Sequence, residues 1–118
     1  MNDNEIEQEI QNKGLTAPRV TPHDIDNAIS EEYSFTAASA LKDCPISPSL
    51  AFLTFSVLVL KNGFTVTGES ACASPENFDA ELGRKIARQN AVSKIWPLLG
   101  FALKERMFQA VQPTQHSK

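Results

Sequence analysis

An α+β domain is expected from this chain, on three observations. Asn62-Gly63 sits between two runs of β-forming residues, TFSVLVLK and FTVTGESAC. Thr21-Pro22 and Ser74-Pro75 each place a capping hydroxyl before a proline suited to the first turn of a helix. Periodic apolar residues then follow each of those starts. Together they predict one or more N-terminal helices, a two-stranded antiparallel β-hairpin (about 53–61 and 64–72), a long helix (about 75–96) and a C-terminal helix (about 98–110).

In chain order, residues 3–13 form a short helix in this reading, with Asp3 as its cap, Ile6 and Ile10 on one face and Gly14 at its end. Two large apolar residues cannot hold so short a helix alone, so it docks or frays. A linker through Pro18 leads to Thr21. From there Ile25, Ala28, Ile29 and Tyr33 share a stripe and predict a helix of about three turns. Residues 34–49 carry Pro45 and Pro48 and no period, and are expected to be an irregular loop, either mobile or ordering on a partner.

The hairpin is expected to turn through Asn62-Gly63 as a type I′ turn. That two-residue connection would set Leu60 against Thr65, Val59 against Val66, Val57 against Gly68 and Phe55 against Ser70. Phe55, Val57, Val59, Phe64 and Val66 then make the core face. Thr54, Ser56, Thr65, Thr67 and Glu69, with Leu58 and Leu60, make the half-wet one. Gly68 offers a place for a helix backbone to come close. The helix after Ser74 has a bulky side (Phe78, Leu82, Ile86), a small side (Ala80, Gly83, Ala87, Ala91) and a charged strip (Glu81, Arg84, Lys85, Arg88), and is expected to be covered on both non-charged sides until Pro97 kinks or ends it. The organisation implied is a short helix and linker over 1–20, one domain over 21–111, and a frayed tail over 112–118. Two strands are a marginal sheet with unpaired edges, so edge pairing into a homodimer is expected.

The 118 residues carry 42% hydrophobic and 21% charged side chains, ordinary values for a soluble globular domain. The longest apolar run is far too short to span a bilayer, and the acidic start is not a secretory signal, which implies no membrane partner and a cytosolic setting. Net charge is −3, but unevenly distributed. Residues 1–32 hold eight acids against Lys13 and Arg19, whereas the remainder holds nine bases against six acids. The basic residues either pair with the acidic segment or face a polyanion.

Candidate chemistry is sparse. Gly68-Glu69-Ser70-Ala71-Cys72 superficially matches a nucleophile elbow, but Cys72 replaces the last glycine and Ser70 lies on a strand, so Ser70 reads as a structural residue. Cys44, Cys72, His23 and His116 lack the close spacing of zinc ligands, so no metal and no cofactor are expected. Cys72 itself reads as a small buried residue. Glu76, Asp79 and Glu81 favour the positive helix end, with Glu81 placed to pair with Lys85. Arg84, Lys85 and Arg88 are the candidate binding residues, for nucleic acid if they are not occupied by the acidic segment; capture of a small anion such as a nucleotide in a pocket at a dimer interface is the further alternative. Trp96 reads as a core anchor.

The run LKNGFTVTGESACASPENFDAELGRKIARQNAVSKIWPLLGFALKER resembles the family of small tailed-phage proteins typified by gene product 49 of phage N4 and gene product 66 of phage Sf6. The start IEQEIQNKGLTAPRVTPHDIDNAISEEY resembles the N-terminal segment of the same family. The resemblance covers about residues 5–108 and is weakest over 34–49. It implies a phage or prophage protein of the bacterial host cytoplasm, with no assigned activity, cofactor or site residue to carry over. The expectation is therefore a non-enzymatic accessory protein that binds a host protein, such as a defence or regulatory factor.

Overall fold

A computed structural model describes residues 2–42 and 45–111. In order it contains α1 (Asp3–Asn12), α2 (Pro22–Ala28), β1 (Ile29–Thr36), α3 (Ala37–Ala40), a 3-10 turn (Pro48–Phe52), β2 (Leu53–Leu60), β3 (Thr65–Ala71), a second 3-10 turn (Pro75–Asn77), α4 (Ala80–Ser93) and α5 (Ile95–Val111). The strands form one antiparallel sheet in the order β1-β2-β3. The architecture is α+β, as the sequence predicts, but the sheet has three strands where two were expected.

The added strand comes from a region expected to finish the second helix and begin a loop. Thr21 accepts from the Asp24 amide and Asp24 reaches back to the Thr21 amide, a closed capping box with Pro22 behind it. The helix it starts ends at Ala28, after two turns. Ile29, Glu31, Tyr33 and Phe35 then alternate, and β1 pairs with β2 from Ile29↔Leu60 to Thr36↔Thr54, with an irregularity between Ile29 and Glu31. Ile29 and Tyr33 suit a helix stripe and a strand equally. Backbone pairing with β2 decides between them. The expected loop over 34–49 therefore begins as strand, continues as α3 and ends in the first 3-10 turn; Asp43 and Cys44 lie outside the described residues, as does the expected frayed tail.

Smaller corrections follow the same logic. The cap of α1 is Asn2, which forms a capping box with Glu5, and Asp3 is the first helical residue. Gly14 does end the helix, at φ +68°, with Gly14 N–H to Gln11 and Leu15 N–H to Ile10 completing a Schellman motif. Ser74-Pro75 opens a 3-10 turn without a side-chain cap, and Asp79 caps α4 by accepting from the Leu82 amide at 3.0 Å. The break after α4 falls at Lys94, not at Pro97. A proline lacks the N–H that would bond the carbonyl four residues back, here Ser93, so the interruption lies upstream and Pro97 sits in the first turn of α5.

The hairpin differs most. Asn62 does not have positive φ, which rules out type I′; only Gly63 does, at +91°. Gly63 N–H donates to the Leu60 carbonyl and Leu60 N–H to the Phe64 carbonyl, both at 2.8 Å, around a three-residue connection Lys61–Gly63. Asn62 Oδ1 accepts from the Phe64 amide at 3.0 Å, which holds the turn. One extra residue in the turn shifts the pairing by one: Val59↔Thr65, Leu58↔Val66, Val57↔Thr67, Ser56↔Gly68 and Phe55↔Glu69. A one-residue shift exchanges the faces. Thr54, Ser56, Leu58, Leu60, Val66 and Gly68 are all buried under α4, whereas Phe55, Val57 and Val59 are half-buried and Thr65, Thr67 and Glu69 exposed on the opposite face. On β2 the face expected to be half-wet is thus the core and the face expected to be core is open over its centre, whereas β3 keeps its expected faces, with Val66 buried and Thr65, Thr67 and Glu69 exposed.

Among the described residues, the long helices cover one side of the sheet. The core is Ile25, Leu58, Leu60, Val66, Ala91 and Ile95, with Val20, Ile29, Val92, Trp96 and Leu99 packed around it. Its layer is thin because α4 turns its small side to the strands: Gly83, Ala87 and Ala91 are the buried residues of that helix. Gly68 is the point of closest approach.

The N-terminal helix is held by polar contacts. Arg19 grips Glu7 through two hydrogen bonds of 2.5 and 2.7 Å, and Trp96 Nε1 donates to Asp3 at 3.1 Å. The Arg19 guanidinium, helped by the Gln11 amide, lowers the Glu7 pKa to about 2. A carboxylate whose pKa falls on folding stabilises the folded form above its ordinary value, and the contribution is lost as pH drops toward the lowered one. Acidification from pH 4.5 toward 2 is therefore expected to release α1. Trp96 fluorescence should shift to the red across that interval, and in Arg19→Gln the shift should already be present at neutral pH. An identical acid titration in the variant would show that the pair does not hold α1.

Candidate binding surface

The close approach of α4 to the sheet determines what the helix presents outward. With Gly83, Ala87 and Ala91 turned inward, Leu82 and Ile86 project on one flank and Arg84 and Arg88 on the other, with Lys85 between them. The bulky side was expected to be covered. Instead Leu82 is 53% and Ile86 39% exposed, while Phe78 is half-buried edge-on against Phe52 at 5.4 Å.

The three basic candidates do share the groove between α4 and β1. They line a cleft of about 350 Å³ together with Glu32, Ser34, Ser56 and Glu81. They are not equally available to a ligand. Arg88 holds Glu32 by two hydrogen bonds, Nε to Oε1 at 2.7 Å and the second nitrogen to Oε2 at 3.1 Å. The Arg88 bond pulls the Glu32 carboxyl below its ordinary range, and the Glu32 bond raises the guanidinium. This is the expected pairing of the strip with the acidic N-terminal segment, since Glu32 is the last acid of that segment. Lys85 lies 3.5 Å from Glu81, the expected four-residue pair, with both side chains about 70% exposed. Arg84 makes no ion pair among the described residues. A groove holding three cations and two carboxylates has little of the unbalanced positive field that phosphate contact uses.

The remaining candidates lie apart. His23 is on α2 and bonds the Asn27 side chain at 2.9 Å. Ser70 is on β3. Cys72 is half-buried, with its thiol against the Ser74 carbonyl at 3.1 Å. Among the described residues no three His, Cys, Asp or Glu side chains gather as a metal site would require. Trp96 is an anchor of the core edge, and its indole also lines a cleft of about 370 Å³ with Asp3, Ile25, Asp26, Arg88 and Gln89.

Two further surfaces expose apolar residues, and of these only Phe55 was expected in the core. Phe35 and Phe55 stack at 5.5 Å on the open sheet face, beside Tyr33, which is 56% exposed. From Lys104 to Val111 every residue of α5 is exposed, including Met107, Phe108 and Val111.

Residues 20–107 match the phage protein (N4 Gp49/phage Sf6 gene 66) family. The chain belongs to this family. The match spans α2, the whole sheet, α4 and most of α5, so the sheet and its covering helices are the family's shared unit, with α1 ahead of it. No curated protein and no solved structure matches the chain. No helix among the described residues is long and apolar enough to cross a membrane.

Proposed function

We propose that this phage protein is a non-enzymatic accessory factor that acts in the bacterial host cytoplasm by binding a host protein through the outer face of α4. The observation that carries this reading is the exposure of Leu82 and Ile86 on a helix fixed to the sheet at Gly68, Gly83 and Ala87. An apolar flank bordered by the Glu81–Lys85 pair has the composition of a protein–protein contact, in which desolvated apolar anchors carry affinity and rim charges steer encounter. Nucleic-acid binding through Arg84, Lys85 and Arg88 is the weaker reading, because Arg88 and Lys85 already hold carboxylates.

The test is recovery of a stoichiometric host protein by the tagged chain from bacterial lysate. Leu82→Glu/Ile86→Glu, at exposed positions that leave the core untouched, is expected to lose it. Arg84→Ala/Lys85→Ala is expected to slow association more than it weakens the complex. Absence of a stoichiometric partner, or recovery unaffected by the Leu82/Ile86 changes, contradicts the reading. Salt-sensitive oligonucleotide binding abolished by alanine at Arg84, Lys85 and Arg88 would replace it with the second one.

A further inference from the structure

Two apolar surfaces of this chain have no mate among the described residues, and we infer that they cover each other between two copies: α5 of one copy lies along the open sheet face of the other, reciprocally. The first surface is the side of the sheet away from α4, formed by Tyr33 and Phe35 on β1 and by Phe55, Val57 and Val59 on β2. The second is the outer part of α5, where Phe101 is 70%, Phe108 50% and Val111 77% exposed.

The overall shape has the same origin. The radius of gyration is 19.1 Å, against about 13 Å for a compact domain of this length. The longest extent is 60 Å and the shortest 19 Å, as expected when a helix projects from a thin body. Folding α5 back onto its own open face is not an alternative. Its base, Ile95 and Leu99, is held in the core on the α4 side of the sheet, and a continuous helix from there cannot reach the opposite face of the same sheet.

A second copy fits in length and area, and Lys104 would meet the acids of the sheet. The segment from Phe101 to Val111 is about 16 Å long as helix, and an eight-residue strand offers about 26 Å. The open face carries Glu31 and Glu69, and α5 places Lys104 between Phe101 and Phe108 on one stripe, with Glu105 at the edge of that stripe and Arg106 on the far side of the helix. Covering the exposed parts of Tyr33, Phe35, Phe101, Met107, Phe108 and Val111 in both copies removes on the order of 1,200 Å² from water, the lower bound of a stable specific interface. An isologous exchange of one helix supplies both halves with a single symmetry operation.

Light-scattering mass tests this directly. The chain is expected to elute near twice its 13.0 kDa, and Phe101→Glu/Phe108→Glu is expected to be monomeric with an unchanged circular-dichroism spectrum. In a background with Cys44 and Cys72 replaced by serine, a Val57→Cys copy mixed with a Phe108→Cys copy should cross-link to each other in preference to itself. A monomeric wild type at about 100 μM, a dimer that survives the Phe101/Phe108 changes, or cross-links confined to Phe108→Cys with itself would overturn the exchange. Leu82→Glu/Ile86→Glu leaves both surfaces intact, so the mass it gives is expected to be that of the wild type.

Discussion

Gly68→Ala is expected to destabilise the domain by about 3 kcal/mol or more, the upper end of what overpacking a core costs. A Cβ at that position would lie 2.3 Å from the Ala87 carbonyl oxygen and 2.3 Å from the Ala91 amide nitrogen, with the Ala91 Cα at 2.9 Å. All three are backbone atoms of α4, so no rotamer change relieves the contact. The helix must move off the sheet, and Leu58, Leu60 and Val66 beneath it lose their cover. The effect is steric and not conformational, because Gly68 lies in a regular strand without positive φ. Chemical denaturation gives the magnitude. A variant as stable as the wild type would mean that α4 does not cross the sheet there.

Leu58→Ala is expected to cost about 2–5 kcal/mol, because Leu58 is fully buried and the space it leaves is bounded by Ile95 and Val66 of the same cluster. Val57→Ala, the next residue on the same strand, is expected to cost about 1 kcal/mol or less, since its side chain faces the half-covered side. The comparison belongs in the Phe101→Glu/Phe108→Glu background, where α5 of a second copy no longer shields Val57. Equal losses at the two positions, or the larger loss at Val57, would contradict the assignment of faces.

The same pair of residues shows where the sequence is legible and where it is not. The start of α2 was readable because a capping residue and a first-turn proline act locally at Thr21-Pro22, whereas Ser74-Pro75, of the same form, opens a 3-10 turn and leaves the cap of α4 to Asp79. The small stripe Gly83, Ala87 and Ala91 likewise announced close packing, and Gly68 announced a helix backbone above it. The strand register was not readable. β2 is apolar on both faces, with Phe55, Val57 and Val59 on one and Leu58 and Leu60 on the other, so burial alone satisfies either pairing. Deciding between them falls to Asn62, which holds the turn through its own side-chain oxygen instead of entering positive φ. β1 was hidden for a related reason: its partner strand lies beyond the whole connection from Thr36 to Leu53, and its residues also fit the end of a helix.

The binding surface was partly legible. The Arg88–Glu32 pair follows from the uneven charge along the chain, and Glu81–Lys85 from helical spacing. The exposure of Leu82 and Ile86 and of the outer part of α5 was not, because apolar residues at helical spacing predict a covered face and nothing local says that the cover is missing.

Cross-strand contacts between backbone Hα protons, measured by NMR, are the most direct test of which sheet face meets α4. Hydrogen bonds close the ladder at Leu60–Phe64 and Phe52–Cys72, which places Val57↔Thr67 at a non-hydrogen-bonded pair, where the chains approach to about 4.5 Å between Cα atoms. A strong Hα–Hα contact between Val57 and Thr67, with another between Val59 and Thr65, is the expected result. A contact from Val57 to Gly68 in its place would restore the two-residue turn, exchange the faces and contradict the account.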